Sequence, residues 1–344
     1  MMKSITAALA AFFFSLPSFA QWQGDSTVAI VAYWAKGDRA VYKTEAVVKQ
    51  VRDSVETVQH KSGGTAIIDV LDETDTSYVF RLSYRGLYDS LIENELVQRF
   101  STELLDSLSM DFETDQFGSI TYILQAGRSS SKMCNLLPSV KEKYEKLIPK
   151  KDKQALEELE KFAQGYNALF ADSDRLTDLC YRDVKDLLKY HGERLDTTTS
   201  YTGRYTFEKV VGGQDVEAEI ETWVDQEASD STYVVIDSYA SLESDALMPI
   251  MEKAVESQFR ARTSDDDELQ EYMGKWLEEA ASTNMEVTAE RHSINAIHIY
   301  SGWPVALVIE QVVRIKNDES CFDQVSLITM QYAGSSLDEP ASAQ

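Results

Sequence analysis

The amino-acid sequence predicts an α+β protein built from two related units, each a curved antiparallel sheet packed on amphipathic helices. Alternating apolar and polar residues indicate strands, and apolar residues at three- and four-residue spacing indicate helices. A ten-residue segment also recurs, as DTSYVFRLSY at residues 75–84 and DSTYVVIDSY at residues 230–239. Because each copy is expected to be the third strand of its unit, the repeat favours an internal duplication.

These patterns divide the chain into five segments. In order, they are a signal peptide (1–20), a first sheet–helix unit (21–128), a helical insert (129–194), a second sheet–helix unit (195–333) and a flexible tail (334–344). The residues of the tail are small and polar, which is typical of chain ends that no core holds in place.

The first unit is expected to begin with strands over residues 39–59, where valine and threonine are frequent. The valines there also fit helical spacing, so a helix is the alternative. A turn is predicted over residues 60–64, which end in two glycines. Further strands are expected over residues 65–71 and 77–84, where side chains alternate between the two faces of a sheet.

The helix of the first unit is expected to start at Ser90, which forms a capping box with Glu93. Its apolar residues recur at four-residue steps and predict one buried stripe. They are Ile92, Leu96, Phe100, Leu104 and Leu108. A short hairpin, with strands over residues 110–114 and 119–124, completes the unit.

The helical insert is expected to contain three helices, of which the last ends at Gly192. Cys134 and Cys180 lie in this insert, and export would permit a disulfide between them. The closed loop would stabilise the fold by about 4 kcal/mol through the unfolded chain. The alternative is that Cys180 is a buried thiol on an apolar helix face.

The second unit is expected to repeat the order of the first. Strands over residues 201–211 and 216–224 are joined at a pair of glycines, which is a hairpin signal. The repeated segment is the third strand. Two helices follow it, and the second of them is expected to bury Met273 and Trp276.

The last part of the second unit is predicted to be entirely strand. Two short strands over residues 285–291 and 296–300 are expected to be separated by a turn near Asn295. Two long alternating strands follow over residues 305–315 and 322–332.

The first twenty residues indicate export. Lys3 is followed by an apolar run over residues 5–16, by Pro17 and by small residues before position 21, a pattern typical of a secretory signal peptide. A membrane anchor is the alternative, but the run is much shorter than the roughly 20 apolar residues that span a bilayer. We therefore expect a periplasmic or extracellular location and no transmembrane segment.

The composition is strongly acidic. The chain has 58 Asp and Glu against 33 Lys and Arg, a formal net charge of −25. Such a field repels nucleic acid and anionic lipid headgroups, so neither is expected as a partner. The acidic residues are dispersed along the chain, which is typical of a solvated surface and also suits a cationic partner.

The sequence contains no strong motif for catalysis, a metal or a cofactor, and none of these is expected. Residues 129–132 fit the Ser-x-x-Lys nucleophile motif, but its companion motifs are missing and a polar loop is favoured. The turn expected near Asn295 would separate His292 from His298. His191, next to a helix end, is expected to be a cation favoured by the helix dipole when it is protonated.

Four segments of the chain carry a family resemblance. They are AYWAKGDRAVYK (32–43), DVLDETDTSYVFRLSY (69–84), FETDQFGSI (112–120) and YHGERLD (190–196). Together they resemble a family of secreted, uncharacterised proteins of Bacteroidota. The resemblance implies export and a mainly antiparallel fold, and it brings no catalytic residues.

The leading functional hypothesis is a non-enzymatic binding protein of the envelope or secreted space. A curved sheet closing on an amphipathic helix can leave an apolar groove for a small amphipathic ligand or for a segment of an envelope protein. The groove is predicted to be lined by Ile92, Leu96, Phe100, Leu104, Met273 and Trp276. The alternative is that these side chains are fully used as core.

Two other functions remain open at this point. A hydrolase with an acidic active site would need a pair of carboxylates in a cleft, and only their separation in space is diagnostic. A structural or assembly role would use the edge strands of the two sheets, because an edge can pair with another chain.

Overall fold

The computed structural model of the protein describes residues 22–23, 26–211, 213–263 and 265–335. Within these residues, six helices and an 11-stranded antiparallel sheet confirm the predicted α+β class. The predicted signal peptide lies outside the described residues, and so does the predicted tail apart from its first two residues.

The helices and strands are numbered in chain order. The strands of the first half are β1 (Trp22–Gln23), β2 (Thr27–Ala29), β3 (Arg39–Arg52), β4 (Val55–Glu73), β5 (Ser77–Asp89), β6 (Ser109–Asp115) and β7 (Ile120–Leu124). Those of the second half are β8 (Arg194–Asp196), β9 (Ser200–Val211), β10 (Gln214–Val224), β11 (Tyr233–Leu242), β12 (Glu286–His298), β13 (Pro304–Lys316) and β14 (Cys321–Gly334). The helices are α1 (Glu95–Leu105), α2 (Ala126–Leu147), α3 (Lys153–Ala171), α4 (Ser173–Leu187), α5 (Ser244–Arg260) and α6 (Asp266–Ser282).

The two halves of the chain share one sheet, where two sheets were predicted. The strand order is β7-β6-β5-β4-β3-β14-β13-β12-β11-β10-β9, and every pair of neighbours is antiparallel. The halves join where β14 pairs with β3 from Phe322 opposite Arg52 to Gly334 opposite Val41. This pairing satisfies the backbone groups that two separate sheets would have exposed at these strands.

Two predicted turns are wrong. The chain turns at Asp53 and Ser54, and β4 then runs extended through the pair of glycines that was expected to form the turn. Both turn residues have positive φ, 48° and 71°, which is the backbone of a two-residue hairpin normally marked by glycine or asparagine. The other predicted turn, near Asn295, is absent because β12 is one continuous strand.

The valine-rich segment is strand, so the helical alternative is wrong. Its residues form the end of β3 and the start of β4, which pair with each other on either side of the turn. The polar loop predicted over residues 129–132 is also wrong, because these residues lie inside α2. There the side chains of Ser129 and Lys132 donate hydrogen bonds to the carbonyls of Ser109 and Ser107, at 2.9 and 2.7 Å.

One face of the sheet, which we call the covered face, carries the helices. The largest core lies between β3–β6 and the helices α1–α4, and it contains Phe80, Phe100 and Phe112, all fully buried. A smaller core lies under α5 and contains Phe207 and Leu247. The covered face is only partly filled between these two cores, and this gap positions the cleft described below.

The repeated segment does not occupy equivalent positions in the two halves. Tyr78 and Tyr84 of the first copy lie on the covered face, where Tyr84 is buried. Tyr233 and Tyr239 of the second copy lie on the opposite face and are 39% and 38% exposed. A shift of one residue moves a side chain to the other face of a strand. The two copies therefore differ in which of their residues face the core.

Candidate ligand-binding cleft

A cleft of about 460 Å³ lies between α4 and the covered face of the sheet. One wall is the end of α4 together with Lys189, which follows it. The rest is formed by residues of β9, β10, β12, β13 and β14. The cleft therefore combines residues that are more than 100 positions apart in the chain.

The floor of the cleft is apolar. On β13 and β14, alternate residues point to the same face, and the register sets Leu307 opposite Met330 and Ile309 opposite Ile328. Ile220 of β10 completes the floor. Ile328 is 37% exposed, which is unusual for an isoleucine on the face of the sheet that carries the core.

The wall of the cleft is rich in cations. Five of the residues that line it are basic, namely Arg182, Lys185, Lys189, Arg204 and Arg291, and three are acidic, namely Asp183, Asp186 and Glu208. Arg204 and Glu208 alternate with Tyr205 along β9, so their side chains point to the opposite face of the sheet, where Arg204 lies 4.0 Å from Glu217. In the whole chain the acidic residues prevail, 58 to 33. The cleft thus reverses the charge balance of the protein locally.

The most buried cation of the cleft is Arg291, whose side chain is only 4% exposed. Its guanidinium lies 3.3 Å from a carboxylate oxygen of Asp186 on α4 and donates to the hydroxyl of Ser293 at 3.2 Å. The guanidinium also lies over the ring of Tyr205, 4.7 Å from its centre. The side chain is therefore held in place by α4, by its own strand and by β9.

Asp183, on the same wall, is half-buried and accepts a hydrogen bond from the hydroxyl of Tyr84 at 2.7 Å. Burial raises the pKa of this carboxyl, and the hydrogen bond from Tyr84 opposes the shift. The charged form is thus disfavoured by desolvation. Burial of Asp183 therefore opposes the negative charge that this carboxyl would contribute to the wall of the cleft.

Asn295 fixes the end of α4 against the sheet. Its side-chain amide donates to the carbonyls of Asp186 and Leu187, at 3.2 and 3.1 Å. Carbonyls at a helix C-terminus lack partners within the helix, so this contact replaces the missing donors. It also sets the distance between α4 and β12, and with it the width of the cleft.

His191 is buried away from the cleft, and the expectation that it is a cation at a helix end is wrong. Its Nε2 lies 2.7 Å from the carbonyl oxygen of Gly302, and its ring packs on Trp34. Burial lowers the pKa of His191 to about 4, so the ring is neutral at pH 7. Gly302 has a φ of 71°, and a Cβ there would lie 2.3 Å from the carbonyl oxygen of Val31.

The opposite face carries an imidazole–carboxylate pair, formed by His292 and Asp237 at 2.8 Å. Such a pair can activate a nucleophile if a serine or cysteine lies within reach. The cross-strand neighbours of His292 are Tyr239 and Glu310, and neither is a serine or a cysteine. Neither of these two directly opposite residues therefore supplies such a nucleophile.

The described part of the chain contains no group of three His, Cys, Asp or Glu residues placed to hold a metal ion. Among the helices described, none is both long enough and apolar enough to cross a membrane.

The structure places the predicted groove residues of the first half in the core. Phe100 and Leu104 are fully buried, Ile92 is buried and Leu96 is partly buried. The reason is that α1 is covered by α2 and α3 on the side away from β5. These four residues do not line a groove, which corresponds to the alternative that they are used as core.

Met273 and Trp276, the predicted groove residues of the second half, lie on α6 and are half-buried. They do not line the cleft, and a groove at this helix stays a prediction. The structure therefore does not bring the two sets of predicted groove residues together.

Cys134 and Cys180 are free thiols in the structure, so the predicted disulfide is not formed there. Cys180 is fully buried on the inner face of α4 beside Tyr84, and burial raises the pKa of its thiol to about 12. This corresponds to the alternative of a buried thiol.

Sequence reasoning missed the cleft, although one signal for Arg291 was present. Along β12, Val287, Ala289 and Arg291 occupy alternate positions and share the buried face. A charged residue in the apolar phase of a strand indicates a buried charge that needs a partner. The partner, Asp186, is 105 residues away, and no local pattern connects the two.

No family model matches the chain, and no curated protein matches it. Among solved structures, the chain is similar to lipovitellin, in a structure concerned with lipid–protein interactions, at 10% identity and a TM-score of 0.36. That likeness covers 90% of this chain and 26% of the other, so the chain spans about a quarter of the length of the lipovitellin chain.

Two bacterial proteins are similar to a lower degree. The likeness to Ail, the attachment invasion locus protein of Yersinia pestis in complex with the heparin analogue sucrose octasulfate, covers 87% of this chain and 99% of that one, at 5% identity and a TM-score of 0.15. The likeness to an outer membrane channel of Pseudomonas putida F1 covers 90% and 99%, at 8% identity and a TM-score of 0.11. At these TM-scores, none of the three likenesses supports an argument about fold or function.

Proposed function

We propose that the protein is a non-enzymatic binding protein that holds an amphipathic ligand in the cleft between α4 and the sheet. The observation that carries the proposal is the buried guanidinium of Arg291 next to the apolar floor that contains Ile309 and Ile328. An apolar surface with a few convergent polar groups is the usual composition of a small-molecule site. The cleft volume of about 460 Å³ also falls in the usual range for such sites.

The proposed place of action is the envelope or the secreted space. The support comes from the sequence, namely the apolar run and small residues within the first twenty positions and the resemblance to a secreted family. Expression of the full chain in a bacterium with a periplasm tests this part. A mature protein that begins at Gln21 is the expected result, and an uncleaved chain would contradict it.

The binding function is tested with 1-anilinonaphthalene-8-sulfonate, a fluorescent probe that is itself amphipathic. We expect the native protein to bind the probe saturably. The variant Ile328→Glu should bind it about tenfold more weakly, because a carboxylate on the floor is costly to desolvate. The matched control is Gln331→Glu, which adds the same charge to the same strand on the opposite face, where Lys43 is its cross-strand neighbour. Equal binding by both variants would place the probe elsewhere and contradict the proposal.

An assembly role is a second candidate, supported by the edge of the sheet. β9 is a 12-residue edge strand with one neighbour, β10, and its residues 200–204 are exposed. Long exposed edges are templates for pairing with another chain. Sedimentation velocity over a range of protein concentrations tests this role, and a strict monomer would count against it.

The internal duplication also stays a proposal. It is supported by the order of elements in the 11-stranded sheet, since each half contributes three strands, then one or two helices, then further strands. The repeated ten-residue segment itself gives it no structural support, because its tyrosines lie on different faces in the two halves.

A further inference from the structure

We infer that the polar end of the ligand is a small monoanion, of which a long-chain carboxylate is the simplest example, and that Arg291 binds it. This inference rests on the proposed function of the same cleft. Its basis is the hydrogen bonding of Arg291, the charge of the cleft wall and the volume of the cleft.

The guanidinium of Arg291 is less fully paired than comparable arginines of the same sheet. Arg81 and Arg314 each bind a cross-strand aspartate through two nitrogens, at 2.7 and 2.9 Å and at 2.8 and 3.0 Å. Arg291 reaches Asp186 through one nitrogen at 3.3 Å, longer than usual for a charge-assisted hydrogen bond.

A guanidinium carries five N–H donors in a fork that matches a carboxylate. Arg291 is the most buried of the three arginines, and its contacts with Asp186 and Ser293 are both longer than 3 Å. Arg291 lines the cleft, where a ligand would meet its remaining donors. A buried cation that is incompletely paired favours an anion strongly, since little water competes for it.

The wall of the cleft limits the charge of the ligand. The four cations that face it, Arg182, Lys185, Lys189 and Arg291, attract an anion, but Asp183 and Asp186 lie among them and repel groups of high negative charge. The excess of two positive charges suits a monoanion better than a polyphosphate. The apolar floor, with the partly exposed Ile328, then requires an apolar chain attached to that anion.

The experiment compares three probes that share a twelve-carbon chain, each titrated calorimetrically below its micelle concentration. They are dodecanoate, dodecan-1-ol and dodecyltrimethylammonium. We expect dodecanoate to bind roughly tenfold or more tightly than the alcohol, and the cation to bind most weakly, because a hydrogen bond to a buried charge is stronger than a neutral one. The variant Arg291→Gln should lose the preference for dodecanoate and keep its affinity for the alcohol.

Two further variants guard against a folding defect at the buried position. The first is the double variant Lys185→Gln/Lys189→Gln, which changes two exposed residues and leaves the core as it is. It should reduce the preference for dodecanoate over dodecan-1-ol severalfold. The matched control Arg314→Gln removes a sheet arginine that lies outside the cleft, and it should leave all three affinities unchanged.

The outcomes separate this inference from the proposed function. Equal affinity for dodecanoate and dodecan-1-ol would overturn the anion inference and leave the binding function intact. A lack of binding by all three probes would contradict the binding function itself. A preference for dodecanoate that persists in both Arg291→Gln and the double lysine variant would overturn the assignment to this cleft.

Discussion

The guanidinium of Arg291 on β12 lies 3.3 Å from the carboxylate of Asp186 on α4, and the two residues are 105 positions apart in the chain. This contact, together with the amide of Asn295, connects the helical layer to the second half of the sheet. The contact lies in the wall of the cleft, and Asp186 is the only carboxylate among the described residues that forms an ion pair with Arg291. Several expectations depend on it.

The first expectation concerns stability. Asp186→Ala should lower the free energy of unfolding by about 3 kcal/mol, because it leaves a buried guanidinium without its carboxylate. Urea denaturation followed by circular dichroism measures the change. The control is Glu271→Ala, which breaks the solvent-exposed pair with Lys275 and should have no measurable effect.

The second expectation concerns the ligand. In Asp186→Asn the amide oxygen still accepts a hydrogen bond, but it no longer competes as an anion for Arg291. Affinity for dodecanoate should therefore rise severalfold, whereas affinity for dodecan-1-ol should stay the same. A loss of dodecanoate affinity in calorimetric titration would mean that Asp186 belongs to the binding contact itself.

The third expectation is a dependence of stability on pH that arises from His191. Burial lowers its pKa to about 4 in the folded protein, from 6.5 in an unfolded chain. Between these values the unfolded chain binds a proton that the folded protein does not bind, so stability falls as the pH falls. His191→Gln keeps an N–H donor for Gly302 and removes this titration.

The free energy of unfolding of the native protein should fall by roughly 2 kcal/mol more than that of His191→Gln between pH 7.5 and pH 5. Urea denaturation of both proteins at these two pH values measures the difference. The carboxylates that also titrate are common to both proteins and cancel. A difference that does not change with pH would show that His191 is not buried in its neutral form.

The fourth expectation tests whether α1 belongs to the core. Phe100→Ala should lower the free energy of unfolding by about 3–5 kcal/mol, because it removes a fully buried aromatic ring. Tyr122→Ala, which truncates an aromatic residue that is 63% exposed on β7, should change it by no more than about 0.5 kcal/mol. A tolerated Phe100→Ala would revive the predicted groove along α1.

The fifth expectation concerns the cysteines. In the native protein without reductant, iodoacetamide should spare Cys180, because the thiol is fully buried and burial raises its pKa to about 12. In denaturant without reductant, intact mass should show three labels. A single label, at Cys321, would instead demonstrate the disulfide between Cys134 and Cys180.

The sequence anticipated individual elements where the signal was local. The alternation of residues predicted β5 and β13, and four-residue spacing predicted α1. The expected start of α1 at Ser90 was wrong, because Asn94 caps the helix and accepts hydrogen bonds from the backbone of Leu96 and Val97. The sequence misjudged two turns for a physical reason. Asp53 and Ser54 adopt positive φ without glycine, while the pair Gly63-Gly64 continues a strand because its neighbours pair on both sides.

By itself, the sequence determined the class of the fold and the acidic character of the chain, because both follow from composition and short-range periodicity. Only the tertiary structure decided that the two halves share one sheet, that the repeated tyrosines face opposite sides, and that Arg291 meets Asp186 beside an apolar floor. These features depend on strand register and on contacts between distant segments. Many alternative pairings satisfy the same local pattern, and they are distinguished only when the whole core packs.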